Sequence, residues 1–255
     1  MSLRVILIIL LVIVTSSCAG TMQSSSEKEK ARALERLGNS MLIQGNAREG
    51  LENLLEAEKL EPSNPDIQHE IALAYQKLGQ FDLALQRFKK AIDLKHDFPD
   101  AYNNMGVLYS LMGDYDNALA SFNKAVSYIL YKTPHFAYHN MGLVYAKMKD
   151  YKKAIEFYKK AISLSPNYIN AYFDLATAYE TLDENKEAIE VYKKAAALSP
   201  QSRQADLNLA KLYIKIDRRQ DAISLLKLII ESNPRSQASK EANQLLKDLQ
   251  KNRPS

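Results

Sequence analysis

Residues 135–168 read HFAYHNMGLVYAKMKDYKKAIEFYKKAISLSPNY, and residues 169–202 read INAYFDLATAYETLDENKEAIEVYKKAAALSPQS. Aligned without a gap, the two 34-residue stretches set Gly142 on Ala176, Tyr145 on Tyr179, Ala154 on Ala188 and Tyr158 on Tyr192. Ala161 then falls on Ala195 and Pro166 on Pro200. Within each stretch the apolar and small residues recur three and four apart, the spacing of one face of an α-helix. Each stretch therefore predicts two antiparallel helices joined by a tight turn, and a proline that stops the second helix.

The same register extends in both directions. Units of 34 residues start at Ala31, Pro65, Pro99, His135, Ile169 and Arg203, with two extra residues, Thr133 and Pro134, between the third and fourth. The eighth position reads Gly38, Ala72, Gly106, Gly142, Ala176, Ala210, and the twentieth reads Gly50, Ala84, Ala118, Ala154, Ala188, Ala222. The twenty-seventh reads Ala57, Ala91, Ala125, Ala161, Ala195, Ile229, so 17 of these 18 places are small. With 29 Ala and 8 Gly among 255 residues, chance would fill only two or three of them. Large residues keep register too: Met41, Tyr75, Tyr109, Tyr145, Tyr179 and Tyr213 at the eleventh place, Leu54, Phe88, Phe122, Tyr158, Tyr192 and Leu226 at the twenty-fourth. Gly79, Gly113, Asp183 and Asp217 mark the turns between the paired helices.

This period and pattern resemble the tetratricopeptide repeat. The expected fold is all-α: a right-handed superhelical solenoid of six repeats (31–64, 65–98, 99–132, 135–168, 169–202, 203–236), closed by a capping helix and tail over 237–255. One repeat cannot bury its apolar face alone, so neighbours stack, and the open end needs a polar cover. Ala238, Ala242, Leu245, Leu246 and Leu249 recur at helical spacing opposite Lys240, Glu241, Lys247 and Asp248, which suits that cap.

The N-terminus differs from everything after it. Val5 to Val14 is an unbroken aliphatic run preceded by Arg4, about the length of a signal-peptide core and too short to span a bilayer, which takes ~20 residues. The only cysteine, Cys18, follows the small residues Ser16 and Ser17, so no intramolecular disulfide can form. The segment resembles the lipobox of bacterial lipoproteins, with Thr15 where that box usually carries Leu. The resemblance implies a signal peptide over 1–17, diacylglycerol (and palmitate) on Cys18, and a flexible tether to residue 30. With Ala19 and no Asp after the cysteine, it implies the outer membrane, on its periplasmic face. The alternative is an ordinary secretory signal cleaved nearby, with Cys18 incidental. A flexible tether over Ala19 to Lys30 reaches about 20 Å.

A net charge of +4, from 34 basic and 30 acidic residues intermixed along the chain, leaves no long basic stripe of the kind that neutralises phosphates, so nucleic acid is not an expected partner. Nor does the sequence carry a Gly-rich phosphate loop, a Gly-x-Ser-x-Gly or a thiol beyond Cys18, which argues against an enzyme. His135 and His139 lie four apart with no third ligand in sequence; the expectation is no metal, with His135 starting a helix and His139 lining the groove. No cofactor is expected. The pairs Lys89-Lys90, Lys159-Lys160 and Lys193-Lys194 share one place in the second helix and fit a solvated outer face.

In the tetratricopeptide family the first helix of each unit lines the concave face. Carrying its groove positions over gives His69 and Leu73, Asn103 and Val107, His139 and Leu143, Phe173 and Thr177 as partner-binding residues. The Lys and Asn that clamp a C-terminal carboxylate in chaperone-binding members have no counterpart here. Leu73, Val107, Leu143 and Phe173 make an apolar track suited to an extended or helical peptide.

Size, signal, repeat count and layout together resemble the pilotin family of type IV pilus systems, the PilF, PilW and Tgl group. The junction Tyr128-Ile129-Leu130-Tyr131-Lys132-Thr133-Pro134, followed by Asn140-Met141-Gly142-Leu143-Val144, is similar to that family's third-to-fourth junction. The resemblance implies an outer-membrane lipoprotein scaffold that supports secretin assembly or localisation. A competing reading is a periplasmic envelope adaptor that organises peptidoglycan enzymes or proteases.

Overall fold

A computed structural model describes residues 26–251, and among them there are helices and no strands. The chain divides into two compact units, one ending at Tyr128 and the other beginning at Ile129. The first holds α1 (26–43), α2 (Ala47–Leu60), α3 (Pro65–Lys77), α4 (Phe81–Leu94), α5 (Pro99–Met112) and α6 (Tyr115–Val126). The second holds α7 (Pro134–Lys147), α8 (Tyr151–Leu164), α9 (Ile169–Thr181), α10 (Asn185–Leu198), α11 (Gln204–Lys215), α12 (Arg219–Ser232) and α13 (Gln237–Lys251). The helices therefore come as six pairs and a final single helix. Helix α1 already includes residues 26–30, so the last five residues of the expected tether are helical, and the rest of it lies outside the described residues.

Each pair turns by the same device. The residue at the eleventh place accepts a backbone bond from the residue that opens the next helix: Gln80 N to Tyr75 O and Asp114 N to Tyr109 O in the first unit, Asp150 N to Tyr145 O and Glu184 N to Tyr179 O in the second, each at 2.9 Å. That six-to-one bond requires a left-handed residue between them. Glycine fills it at Gly79 (φ 73°) and Gly113 (φ 81°), whereas Lys149 (φ 64°), Asp183 and Asp217 fill it in the second unit at some steric cost. Prolines at Pro65, Pro99 and Pro134 open α3, α5 and α7, where a missing N–H costs nothing.

The small residues have a geometric cause. A Cβ on Gly106 would lie 2.6 Å from the ring of Phe122, and one on Gly142 would lie 2.5 Å from the ring of Tyr158. The ring at the twenty-fourth place thus sits directly on the eighth, and the paired helices close onto it.

In the first unit the core has two neighbouring clusters. Leu42, Leu54, Ile67 and Ile71 form one, and Phe88, Phe98, Met105 and Leu108 the other, with Leu73 and Tyr75 packed against both. In the second unit Tyr158, Leu175, Tyr192 and Leu212 anchor a cluster from α8 to α11. The final helix closes that unit. Ala238 and Ala242 are buried beside Leu207, Leu226 and Ile229, and Ser239 donates from its hydroxyl to Ile229 O and Asn233 O. No described helix is long and apolar enough to cross a membrane.

Candidate functional site

The eight residues expected to face a partner separate by depth. His69, Asn103 and His139, at the fifth place of their units, are buried, which corrects the expectation that they line an open groove. The reason is the same ring that fixes the small residues. His69 lies 5.6 Å from Phe88 and 5.1 Å from Phe98, and His139 lies 5.6 Å from Tyr158, so each imidazole packs on its own unit's core.

Their nitrogens are also used internally. The Asn104 amide donates to His69 Nε2 at 2.9 Å, joining α3 to α5. In the second unit His139 Nε2 meets Asp174 Oδ2 at 2.6 Å, while Tyr168 Oη meets His139 Nδ1 at 3.1 Å. The consistent assignment has the phenol donating to Nδ1 and the imidazole Nε2–H donating to the carboxylate. Burial, then the neighbouring His139, pushes His135 below the usual imidazole range. Among the described residues no three histidine, cysteine or acidic side chains gather as metal ligands.

The other five stay at or near the surface. Leu73 and Val107 are half-buried in the first unit, Leu143 and Phe173 in the second, and Thr177 is exposed with its hydroxyl donating to Phe173 O. Each unit thus carries its own apolar pair on its first helices. Sequence reasoning assigned no groove residue to the first repeat, yet Ile43 there is 81% exposed. Ile43, Leu42 and Leu73 line a hollow of about 320 Å³ with Asn39, Glu70, Gln76 and Lys77. Gln76 Oε1 in its wall is buried and accepts no hydrogen bond among the described residues. The repeat register could have found this place, because Ile43 and Lys77 stand at the same position of successive units.

The outer lysines divide in the same way. Lys89, Lys159, Lys160, Lys193 and Lys194 are exposed, but Lys90 is half-buried and donates to Glu58 at 2.9 Å. Arg87 and Gln68 donate to the same carboxylate. Burial alone would raise Glu58, but the bonds from Lys90, Gln68 and Arg87 outweigh it and hold the carboxyl down at about 2. Cys18 lies outside the described residues.

The tetratricopeptide-repeat family model matches residues 97–166 and 135–201, and two further tetratricopeptide models match 77–113 and 183–245. No curated protein sequence matches the chain. Among solved structures, PilF of Pseudomonas aeruginosa is 24% identical, over 85% of this chain and 97% of that one, with a TM-score of 0.69. PilW, a widely conserved type IV pilus biogenesis factor, is 22% identical over 83% of this chain and 97% of its own, with a TM-score of 0.71. YrrB, a tetratricopeptide protein with an unusual peptide-binding site, is 20% identical over 75% and 97%, with a TM-score of 0.54. At these identities the likeness is one of fold.

Proposed function

Because the chain belongs to the tetratricopeptide-repeat family, we propose that its first-helix surfaces hold a segment of a secretin subunit during assembly of a type IV pilus. Tetratricopeptide repeats are generally non-catalytic scaffolds that bind protein partners, and a protein-interaction role follows from that fold. The observation that carries the reading is the apolar surface of those helices. Ile43 and Leu73 in the first unit, and Leu143 and Phe173 in the second, keep apolar area in water although each has a packed core beside it. Such anchors are what a peptide side chain covers.

Fold likeness to PilF and PilW supports the pilus as the pathway. The aliphatic run before Cys18 supports a lipid anchor in the outer membrane with the repeats in the periplasm. In this account the protein performs no chemistry: the lipid sets location and the repeats select the cargo. The test is deletion of the gene in its host, followed by measurement of heat-stable secretin multimer in the membranes. Multimer falls sharply if the reading holds. Normal multimer without the protein would remove it from this pathway.

A further inference from the structure

One short stretch carries a local excess of positive charge. Residues 147–160 hold Lys147, Lys149, Lys152, Lys153, Lys159 and Lys160 against Asp150 and Glu156, six minus two, which equals the net +4 of the whole chain. Two of these lysines bracket a stack of rings on the surface of α7 and α8. Phe157 lies against Tyr145 at 5.2 Å with 7° between planes, and against Tyr138 at 6.3 Å with 19°. The Lys160 ammonium sits 4.3 Å from the centre of Tyr138 and that of Lys153 5.0 Å from Tyr145. The rings are half-buried and both lysines are exposed.

The first unit shows what this register binds. Lys90, Arg87 and Gln68 occupy in the second repeat the places of Lys160, Phe157 and Tyr138 in the fourth, and there they converge on the Glu58 carboxylate. Lys160 has no carboxylate partner among the described residues. Among the described carboxylates Lys153 meets Asp150 alone, at 3.5 Å, in an exposed i,i+3 pair of little strength.

We infer that this strip is a second docking face, distinct from the apolar anchors Leu143 and Phe173, for an extended acidic segment of a polypeptide partner. Lys153 and Lys160 are seven residues apart on one helix, which is about 10 Å. Two acidic side chains three residues apart on a segment in the extended polyproline II conformation share one face and span about 9 Å. The partner's carboxylates therefore sit on the two ammoniums, and the side chains between them lie on the edges of the rings. The ring stack holds the lysine stems in place, which lowers the entropy each salt bridge would otherwise cost. A nucleic acid fits less well, because the ring faces are already engaged by one another and by the ammoniums, leaving none for a base. A lipid surface fits less well because half-buried rings do not reach into acyl chains.

The test is fluorescence anisotropy with the full chain and a labelled acetyl-GEVVEG peptide. Its glutamine counterpart GQVVQG, oligothymidylate and phosphatidylglycerol vesicles form the other arms. The acidic peptide is expected to bind, with affinity lost in about 0.5 M salt. Combining Lys153→Ala with Lys160→Ala should weaken it about fivefold or more. Combining Lys193→Ala with Lys194→Ala, in α10 where the ring stack is missing, should leave it unchanged, as should Leu143→Ala combined with Phe173→Ala, which removes apolar area without adding charge. That last control separates this face from the apolar anchors, so either assignment fails alone. The inference is overturned if GQVVQG binds equally, if the Lys153/Lys160 variant binds normally, or if only the oligonucleotide or the vesicles bind.

Discussion

His139 and Asp174 join α7 to α9 at 2.6 Å, at the same two repeat positions where His69 and Asn104 join α3 to α5 at 2.9 Å. One strut thus occurs in each unit, once with a carboxylate and once with an amide. In both, a buried imidazole spans adjacent repeats and needs an acceptor or donor on the far side.

The far-side group matters for its hydrogen bond more than for its charge. Asp174→Asn keeps an acceptor, its Oδ1, for the His139 Nε2–H and should cost less than about 1 kcal/mol of stability. Asp174→Ala strands a buried imidazole nitrogen and should cost about 1–3 kcal/mol. Urea unfolding of the two variants checks this; equal losses would show that the imidazole is held by ring packing alone.

Acid should loosen the first unit through Glu58. Its carboxyl is held down to about 2 in the fold, against an ordinary value of 4.5 in the unfolded chain. The stabilisation is therefore fully present above about pH 4.5 and is lost as pH falls toward 2. Thermal melts between pH 5 and 2 should fall less steeply in Glu58→Gln than in the parent. Identical slopes would mean that Arg87, Lys90 and Gln68 do not hold the carboxylate in solution.

The fold was legible because its contact positions repeat. The eighth, twentieth and twenty-fourth places are where helices touch, and touching restricts residue size, so Gly142 and Tyr158 are visible as a pattern before any coordinates exist. The surface was less legible because depth changes within one repeat position. His69 and Phe173 share the fifth place, yet the first is buried and the second half-exposed. Lys90 and Lys160 share another, yet only Lys90 holds a carboxylate, because Glu58 lies within its reach. Such differences come from the neighbouring repeat, which a periodic reading averages away.

Two substitutions test the packing directly. Gly142→Ala places a methyl 2.5 Å from the Tyr158 ring and should cost about 1–3 kcal/mol. Lys149→Gly relieves a left-handed backbone at an exposed turn and should stabilise by roughly 0.5–1 kcal/mol. Denaturant melts give both values; a stabilising Gly142→Ala would contradict the ring geometry, and a destabilising Lys149→Gly would contradict the turn geometry.

The anchor has its own test. If Cys18 carries lipid, Cys18→Ser should move the protein from the membrane to a soluble periplasmic pool and abolish labelling by a fatty-acid analogue. Label retained on the serine variant would contradict the lipoprotein assignment.

The central claim is that first-helix apolar side chains hold the partner. Leu143 and Phe173 lie outside the small-residue and ring positions but pack against the second unit's core, so changing both to Glu should keep the helical fold while lowering its melting temperature by a few degrees. Each lost anchor is worth about 1–3 kcal/mol, which weakens binding roughly ten- to a hundredfold per residue. The deciding measurement is heat-stable secretin multimer in membranes of cells expressing the folded Leu143→Glu, Phe173→Glu double variant at parental levels. The account predicts a marked loss of multimer; parental amounts would contradict it.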